Sequence, residues 1–498
     1  MGSIRHDPTT RALRGANIRT TPIRYERTRV IFDLNDSPTV PQSHSPNMRN
    51  YILTLLLTIV ALPSAFADSP PLRIACFEVD ASPPIGSPMF YQPTEEVLMP
   101  LTARGIVLLG DEPPIVLCAV DWIGIADSAH TEWRAALAEA AGTTPERVAV
   151  HTLHQHDAPG ADFAAEALLA EHGLAGKQYD NHFIRQTITR VATAIRESLR
   201  DPQQVTHLGT GAGEVKKIAS NRRVIGADGK IKYWRGSSTG DSDARAEPEG
   251  NIDPLVRSIS FFRDGQPLVV LCYYATHPMS YYRTGKANPD FVGIARTMRE
   301  KELGVPHIYF TGAGGNVSAG KYNDGSHENR KIFADRLAAG MKLAWQSNEL
   351  IPISAEEVDW RHEEVALPVA TNLVESQLLE TLDNDESKQQ ARFGAAQCLA
   401  WLRRCQAGEK VTIGCLHLGS ARSLYLCGEL FVEYQLAAQQ QRPDEFVAVA
   451  AYGDYGPGYI GLKSSYPQGG YEVNPRVSLV APEVEDVLMP AIARLLEE

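Results

Sequence analysis

Short apolar runs alternate along this chain with longer stretches in which apolar residues recur every three or four positions. The runs at Ile74–Val79, Ala103–Leu109, Pro114–Trp122 and Arg147–Val150 predict strands, mostly buried,. Helical periodicity predicts helices from Ser128 to Ala141 and from Asp180 to Leu199,. Leu255–Phe262 and Leu268–Tyr274 flank Asp264-Gly265, a hairpin signal,. A helix over Val292–Leu303 precedes a strand at His307–Phe310, and another helix covers Glu328–Ser347. Alternation over residues 354–368 predicts an edge strand, and Lys388–Arg403 a helix. Val411–Leu418 and Ser423–Leu426 read as strands, with a helix from Glu429. The interleaving predicts an α/β fold, a mixed β-sheet core flanked by helices. No internal repeat and no low-complexity linker divides the chain beyond residue 67, so a single large domain is expected,.

The amino-terminal region departs from this pattern. Residues 1–47 are rich in Arg, Thr and Pro without periodicity and are expected to be disordered,. Residues 48–67 have the form of a signal peptide: Met48, a basic Arg49, an apolar core from Tyr51 to Leu62, and Ala65-x-Ala67 as a cleavage site,. That core is shorter than the ~20 residues that span a bilayer. The expected product is exported, periplasmic or secreted, and begins at Asp68 with no integral membrane span. On this reading translation starts at Met48, and residues 1–47 are a misassigned extension. The alternative is a membrane anchor with a cytoplasmic arm.

Charge narrows the partners. The formal net charge is −12, and removing residues 1–67, with eight Arg and four Asp/Glu, takes it to −16. No Lys/Arg-rich run follows, which argues against nucleic acid and against an anionic membrane surface. Seven cysteines form no C-x-x-C pair. Cys76, Cys118, Cys272 and Cys427 lie in apolar runs and are expected in the core. A Cys398–Cys405 bridge remains open.

Four segments are apolar runs that end in polar residues: Val148–Asp157, Val269–Ser280, Ile308–Ser318 and Leu424–Glu429. In open α/β sheets ligands gather beyond strand ends. Parallel ends would bring His154, His156, His277 and Glu429 together. In an extended segment His154 and His156 project to one side, beside Asp157, a carboxylate able to fix a tautomer. Two His, a carboxylate and an open position suit catalytic zinc. Each feature also has an ordinary reading. A His-x-His pair occurs in hydrogen-bonded edge strands, His277 before Pro278 can end a strand, and Glu429 can open a helix. The glycine-rich Thr311–Ser318 lacks the spacing of a phosphate loop, and Ser318 lacks a nucleophile elbow,.

Residues 71–480 resemble the catalytic domain of the neutral/alkaline non-lysosomal ceramidase family, with six short motifs in the family's order. The family's T-H-T-H-S-G-P is similar to Leu153–Pro159, its N-R-S to Asn221–Arg223, and its A-V-H-P-T-S to Ala275–Ser280. Its N-A-G-D-V-S is similar to Ala313–Ser318, and its P-G-E-F-T to Cys427–Phe431. Its Y-V-T-T-P…R-Y-E-G is similar to Gly458–Gly461, with Tyr471-Glu472 beyond it. The resemblance implies Zn²⁺ held by His154, His277, Glu429 and Tyr459. It implies that His156, Arg222 and Tyr471 hold the substrate amide and its developing charge. The implied activity is amide hydrolysis by water that the metal acidifies, on ceramide or another small-molecule or lipid N-acyl amide. A zinc-dependent esterase, another metallohydrolase on the same site and a non-catalytic binding protein of the same fold are the alternatives. The sequence departs from the family at Asp157-Ala158, where the signature has Ser-Gly, and at Ser318–Gly320. The family's carboxy-terminal immunoglobulin-like domain is expected to be absent.

Overall fold

Each of the three larger sheets is antiparallel except at one side, where it ends in a single parallel pair. The computed structural model describes residues 71–497, so the expected extension and signal peptide lie outside the described residues. In the first sheet Ile115–Val120 pairs in parallel with Val148–Thr152 and antiparallel with Thr102–Leu109, followed by Arg73–Asp80. In the second, Gln266–Tyr274 pairs in parallel with His307–Thr311 and forms the expected hairpin with Leu255–Arg263. In the third, Ala421–Tyr425 pairs in parallel with Phe446–Ala450, and Val358–Val365 is the far edge.

Parallel neighbours need a crossover, and here each crossover holds a helix. Asp127–Ala141 joins the first pair, Asp290–Leu303 the second and Val432–Gln441 the third. The paired strands are buried almost throughout because they are covered on both faces, which is why their sequences are unbroken apolar runs,. One core joins the sheets through Ile106, Leu117, Leu271, Phe310, Tyr425 and Ala448. A second packs the first sheet on helices Asp127–Ala141 and Asn181–Ser198. A third packs the third sheet on helices Gln389–Gln406 and Val484–Leu496.

The elements agree with the pattern of apolar positions, with local differences. Glu429 does not open a helix: Glu429–Leu430 is a short strand paired in parallel with Tyr459–Ile460, and the helix starts at Val432. Cys76 is exposed, not core, because alternate residues of its strand face outward. Cys118, Cys272 and Cys427 are buried as expected, and Cys398 and Cys405 are free thiols. No helix among the described residues is long and apolar enough to cross a membrane.

A buried ion pair ties the second crossover helix to the first sheet. Arg296 grips Asp121 with two nitrogens, each at 2.7 Å, and both side chains are buried. Burial raises the Asp121 carboxyl, but Arg296 and its hydrogen bonds outweigh that and hold it below its ordinary 3.8. A lowered folded-state value means the stabilisation is complete at neutral pH and is lost as pH falls through that value. Asp121→Asn should therefore cost about 3–5 kcal/mol at pH 7, because it leaves Arg296 buried without a counter-charge. The difference from wild type should shrink below pH 4. Denaturant melts of both proteins across that range check it; equal stability at pH 7 would show that the pair contributes nothing net.

Candidate functional site

All three parallel pairs end on the same side, and the loops that leave them meet. Thr311 donates from its hydroxyl to the Leu153 carbonyl at 2.8 Å, Ala451 N–H to Thr311 at 2.9 Å, and Thr152 N–H to Tyr452 at 2.9 Å. His154 sits two residues past its strand in the left-handed region (φ 67°), and Tyr452 does likewise (φ 60°). Their rings stack at 4.5 Å. Such backbone costs about 1–2 kcal/mol per residue and persists where neighbours over-determine it. The glycine-rich loop allows the closest approach. A Cβ on Gly315 would run into the Glu429 carbonyl, and one on Gly314 into the backbone of Thr276.

Two histidines are locked into one tautomer. His154 Nδ1–H donates to the Ile123 carbonyl at 2.6 Å, and His277 Nδ1–H to the Gly314 carbonyl at 2.7 Å. A carbonyl only accepts, so each ring keeps a lone pair on Nε2. Both lone pairs face one oxygen, Glu429 Oε2, at 3.2 Å and 3.0 Å. Among the described residues, His154 Nε2 and Glu429 Oε2 are buried without a hydrogen-bond partner. Burial raises the Glu429 carboxyl, and the two histidines outweigh it and hold the group well below its usual range only where they carry protons toward it. Burial pushes His277 the other way, toward its neutral form. Neutral nitrogens around an ionised carboxylate are mutually repulsive unless a cation lies between them. The donor set fits a divalent metal.

Tyr459 completes this face. Its hydroxyl is 3.3 Å from His277 Nε2 and accepts from Arg222 at 3.0 Å. Burial and then the Glu429 charge hold the phenol well above its usual range. Arg222 is itself buried and lies 3.1 Å from Glu472, which also pairs with Arg223 and accepts from Trp234. Burial opposes the Arg222 charge, but Tyr459 and Glu472 more than compensate and keep it protonated. Tyr471 is 45% exposed, with Arg222 over its ring at 5.6 Å and Tyr459 edge-on at 5.7 Å. It lines the opening.

His156 differs from the other two histidines. A ligand-type nitrogen from each of His154, His156 and His277 falls within 4.8 Å of the others, so the three form a buried cluster able to hold a metal. Yet His156 Nδ1 meets the Tyr91 hydroxyl at 3.1 Å, a group that donates or accepts, so its tautomer is not locked,. Its Nε2 is buried without a hydrogen-bond partner among the described residues. Burial, reinforced by the two neighbouring histidines, depresses its basicity well below the usual range.

Neither a protein-family model nor a curated protein sequence matches the chain. Solved structures do. A crystal structure of neutral ceramidase from Pseudomonas aeruginosa superposes with a TM-score of 0.62 at 17% identity, over 86% of this chain and 73% of that one. The fold is that of neutral ceramidase. A structure described as ceramidase complexed with C2 also has a TM-score of 0.62, at 16% identity, over 86% of this chain and 75% of that one.

Within this neutral-ceramidase fold, His154, His156, His277, Glu429, Tyr459 and Arg222 come together and Tyr471 stands at the mouth. Asp157 does not orient either histidine. Its oxygens are taken by Arg283 N–H, Thr284 N–H and the Thr284 hydroxyl, and backbone carbonyls orient the rings instead. Nor does an extended segment align His154 with His156, given the left-handed backbone at His154. Sequence reasoning missed Tyr455, which donates to Glu429 Oε1 at 2.7 Å, and Tyr91. Tyr455 was within reach, since Phe446–Ala450 is a further apolar run with a polar exit. Tyr91 lies in a loop whose composition carries no signal.

Proposed function

We propose that this chain is an exported zinc-dependent amidohydrolase of the neutral ceramidase type, acting on ceramide or a related lipid amide. The structural neighbours are ceramidases by description. The observation that carries the reading is that His154 Nε2 and Glu429 Oε2 are buried without a hydrogen-bond partner among the described residues, while His277 Nε2 faces the same Glu429 oxygen at 3.0 Å. His154, His277, Glu429 and Tyr459 hold the metal. Zinc bound there acidifies water and polarises a carbonyl oxygen.

The chain's own residues do the rest. Arg222, fixed by Glu472, presents a permanent charge beside the Tyr459 hydroxyl, where negative charge grows on the amide oxygen,. Tyr471 adds a phenol at the mouth. His156, neutral and with an unlocked tautomer, takes a proton from the attacking water and gives it to the leaving nitrogen. Water supplies the hydroxyl to the acyl carbon, the C–N bond breaks, and the amine leaves with the proton. The signal peptide at residues 48–67 delivers the protein to its exported location.

Metal analysis with a hydrolysis panel of N-acyl amides and esters tests this. One metal per chain and chelator-sensitive amide cleavage are expected. Cleavage of esters alone would favour an esterase, and binding without turnover a binding protein. A finer prediction concerns Tyr455, whose hydroxyl steadies Glu429. Tyr455→Phe should weaken metal affinity about 10–100-fold, the usual effect of losing a group that orients a ligand. Competition against a chromogenic chelator measures it, and unchanged affinity would remove Glu429 from the ligand set.

A further inference from the structure

Asp157 directly follows His156 and is buried, yet its carboxylate is spent on a neighbouring loop. It accepts from Arg283 N–H at 2.8 Å, Thr284 N–H at 3.1 Å and the Thr284 hydroxyl at 2.6 Å. This holds Arg283 in the left-handed region (φ 65°), where a side chain is strained and glycine would be at ease,. A buried charge and a strained residue are both used to aim one arginine. The exposed guanidinium lies over the Tyr91 ring at 4.7 Å and the Tyr282 ring at 5.4 Å. Both rings also contact His156, Tyr91 stacked at 5.7 Å and Tyr282 edge-on at 5.0 Å. Lys286, three residues on, is paired with Glu96 at 2.8 Å. Among the described residues no carboxylate side chain pairs with the Arg283 guanidinium, so it is the unpaired cation of this loop.

We infer that Arg283 is an anion-recognition site at the mouth and that the substrate carries a carboxylate on the amine side of the scissile bond, as an N-acyl amino acid does. The inference rests on the proposed function, which places the leaving nitrogen at His156, one aromatic ring away from Arg283. A second part of the mouth suits the acyl part. Trp234 and Tyr471 are 42% and 45% exposed and touch at 5.6 Å beside Arg222. An apolar wall by the carbonyl-holding residues and a cation by the proton donor match an amphiphile with an acyl tail and an anionic head. A guanidinium pairs with a carboxylate in two-pronged geometry, while a neutral alcohol head leaves it unanswered. Asp157, which aims it, stands where the resembled signature has Ser.

N-octanoylglycine and N-octanoylethanolamine differ at the head group alone, carboxylate against hydroxymethyl. With metal-loaded wild-type protein, kcat/KM should favour the glycine conjugate by about tenfold or more, the value of a charge-assisted contact. Arg283→Gln should shrink that ratio toward one, mainly through KM, and Arg283→Lys should retain part of it. Calorimetric binding of the two compounds reads the same preference without turnover. Equal binding, or a ratio unmoved by Arg283→Gln, overturns the anion site. Preferential, Arg283-dependent binding with hydrolysis of neither compound would uphold the anion site and overturn the amidohydrolase reading instead.

Discussion

His154→Ala should purify with little or no metal and with no measurable turnover of any N-acyl amide. Its Nε2 is one of two lone pairs aimed at Glu429 Oε2, at 3.2 Å, and it has no other use there. Orienting groups alone are worth about 10–100-fold in metal affinity, and a direct ligand is worth more. The chemistry goes with the metal, because metal affinity and the acidified water share one cause. The substitution also removes the Nδ1–H bond to Ile123 and leaves Ala in left-handed backbone, so stability should drop by about 1–3 kcal/mol,. Melting curves separate that loss from unfolding. Metal retained at one per chain in a folded His154→Ala protein would remove His154 from the ligand set.

The strands, the crossover helices and the polar exits were legible in the sequence because burial on two faces leaves unbroken apolar runs, as in Ile115–Val120 and Ala421–Tyr425. Where those exits meet was legible only as a rule about strand ends. It holds because three separate βαβ crossovers point their parallel pairs at one place, a fact of sheet assembly that no local pattern encodes. Glu429 illustrates the limit. Locally it reads as a helix opening; in the fold it is a strand residue beside Tyr459, and that pairing sets two candidate ligands side by side. The tautomers of His154 and His277 depend on backbone carbonyls of Ile123 and Gly314, and a sequence carries no mark of which carbonyl will be near. Asp157 is the instructive error. A carboxylate next to a histidine in sequence suggests orientation of the ring, but the chain turns it away to hold Arg283 and Thr284.

The other large effect separates proton handling from metal binding. His156 shares the buried cluster with His154 and His277, and distance alone would make it a third nitrogen ligand. Its hydrogen bonds argue otherwise. The two locked rings give Nδ1–H to carbonyls and so present a fixed lone pair, as a ligand should. His156 instead meets the Tyr91 hydroxyl, which donates or accepts, so the ring can exchange which nitrogen carries the proton,. Burial and its neighbours keep it neutral before reaction. A neutral, switchable imidazole beside a developing charge acts on protons, and such a group is typically worth 10²–10⁴ in rate. His156→Ala should therefore keep metal at one per chain while turnover falls by about that factor. The pairing with His154→Ala is what discriminates, since both remove an imidazole from one buried cluster. Equal loss of metal in the two proteins would make His156 a ligand and displace Tyr459, whose phenol burial holds well above its usual range. Retained metal with turnover lost places the proton path on the Tyr91 side of the site. That is also the side on which Arg283 stands, over the Tyr91 ring at 4.7 Å.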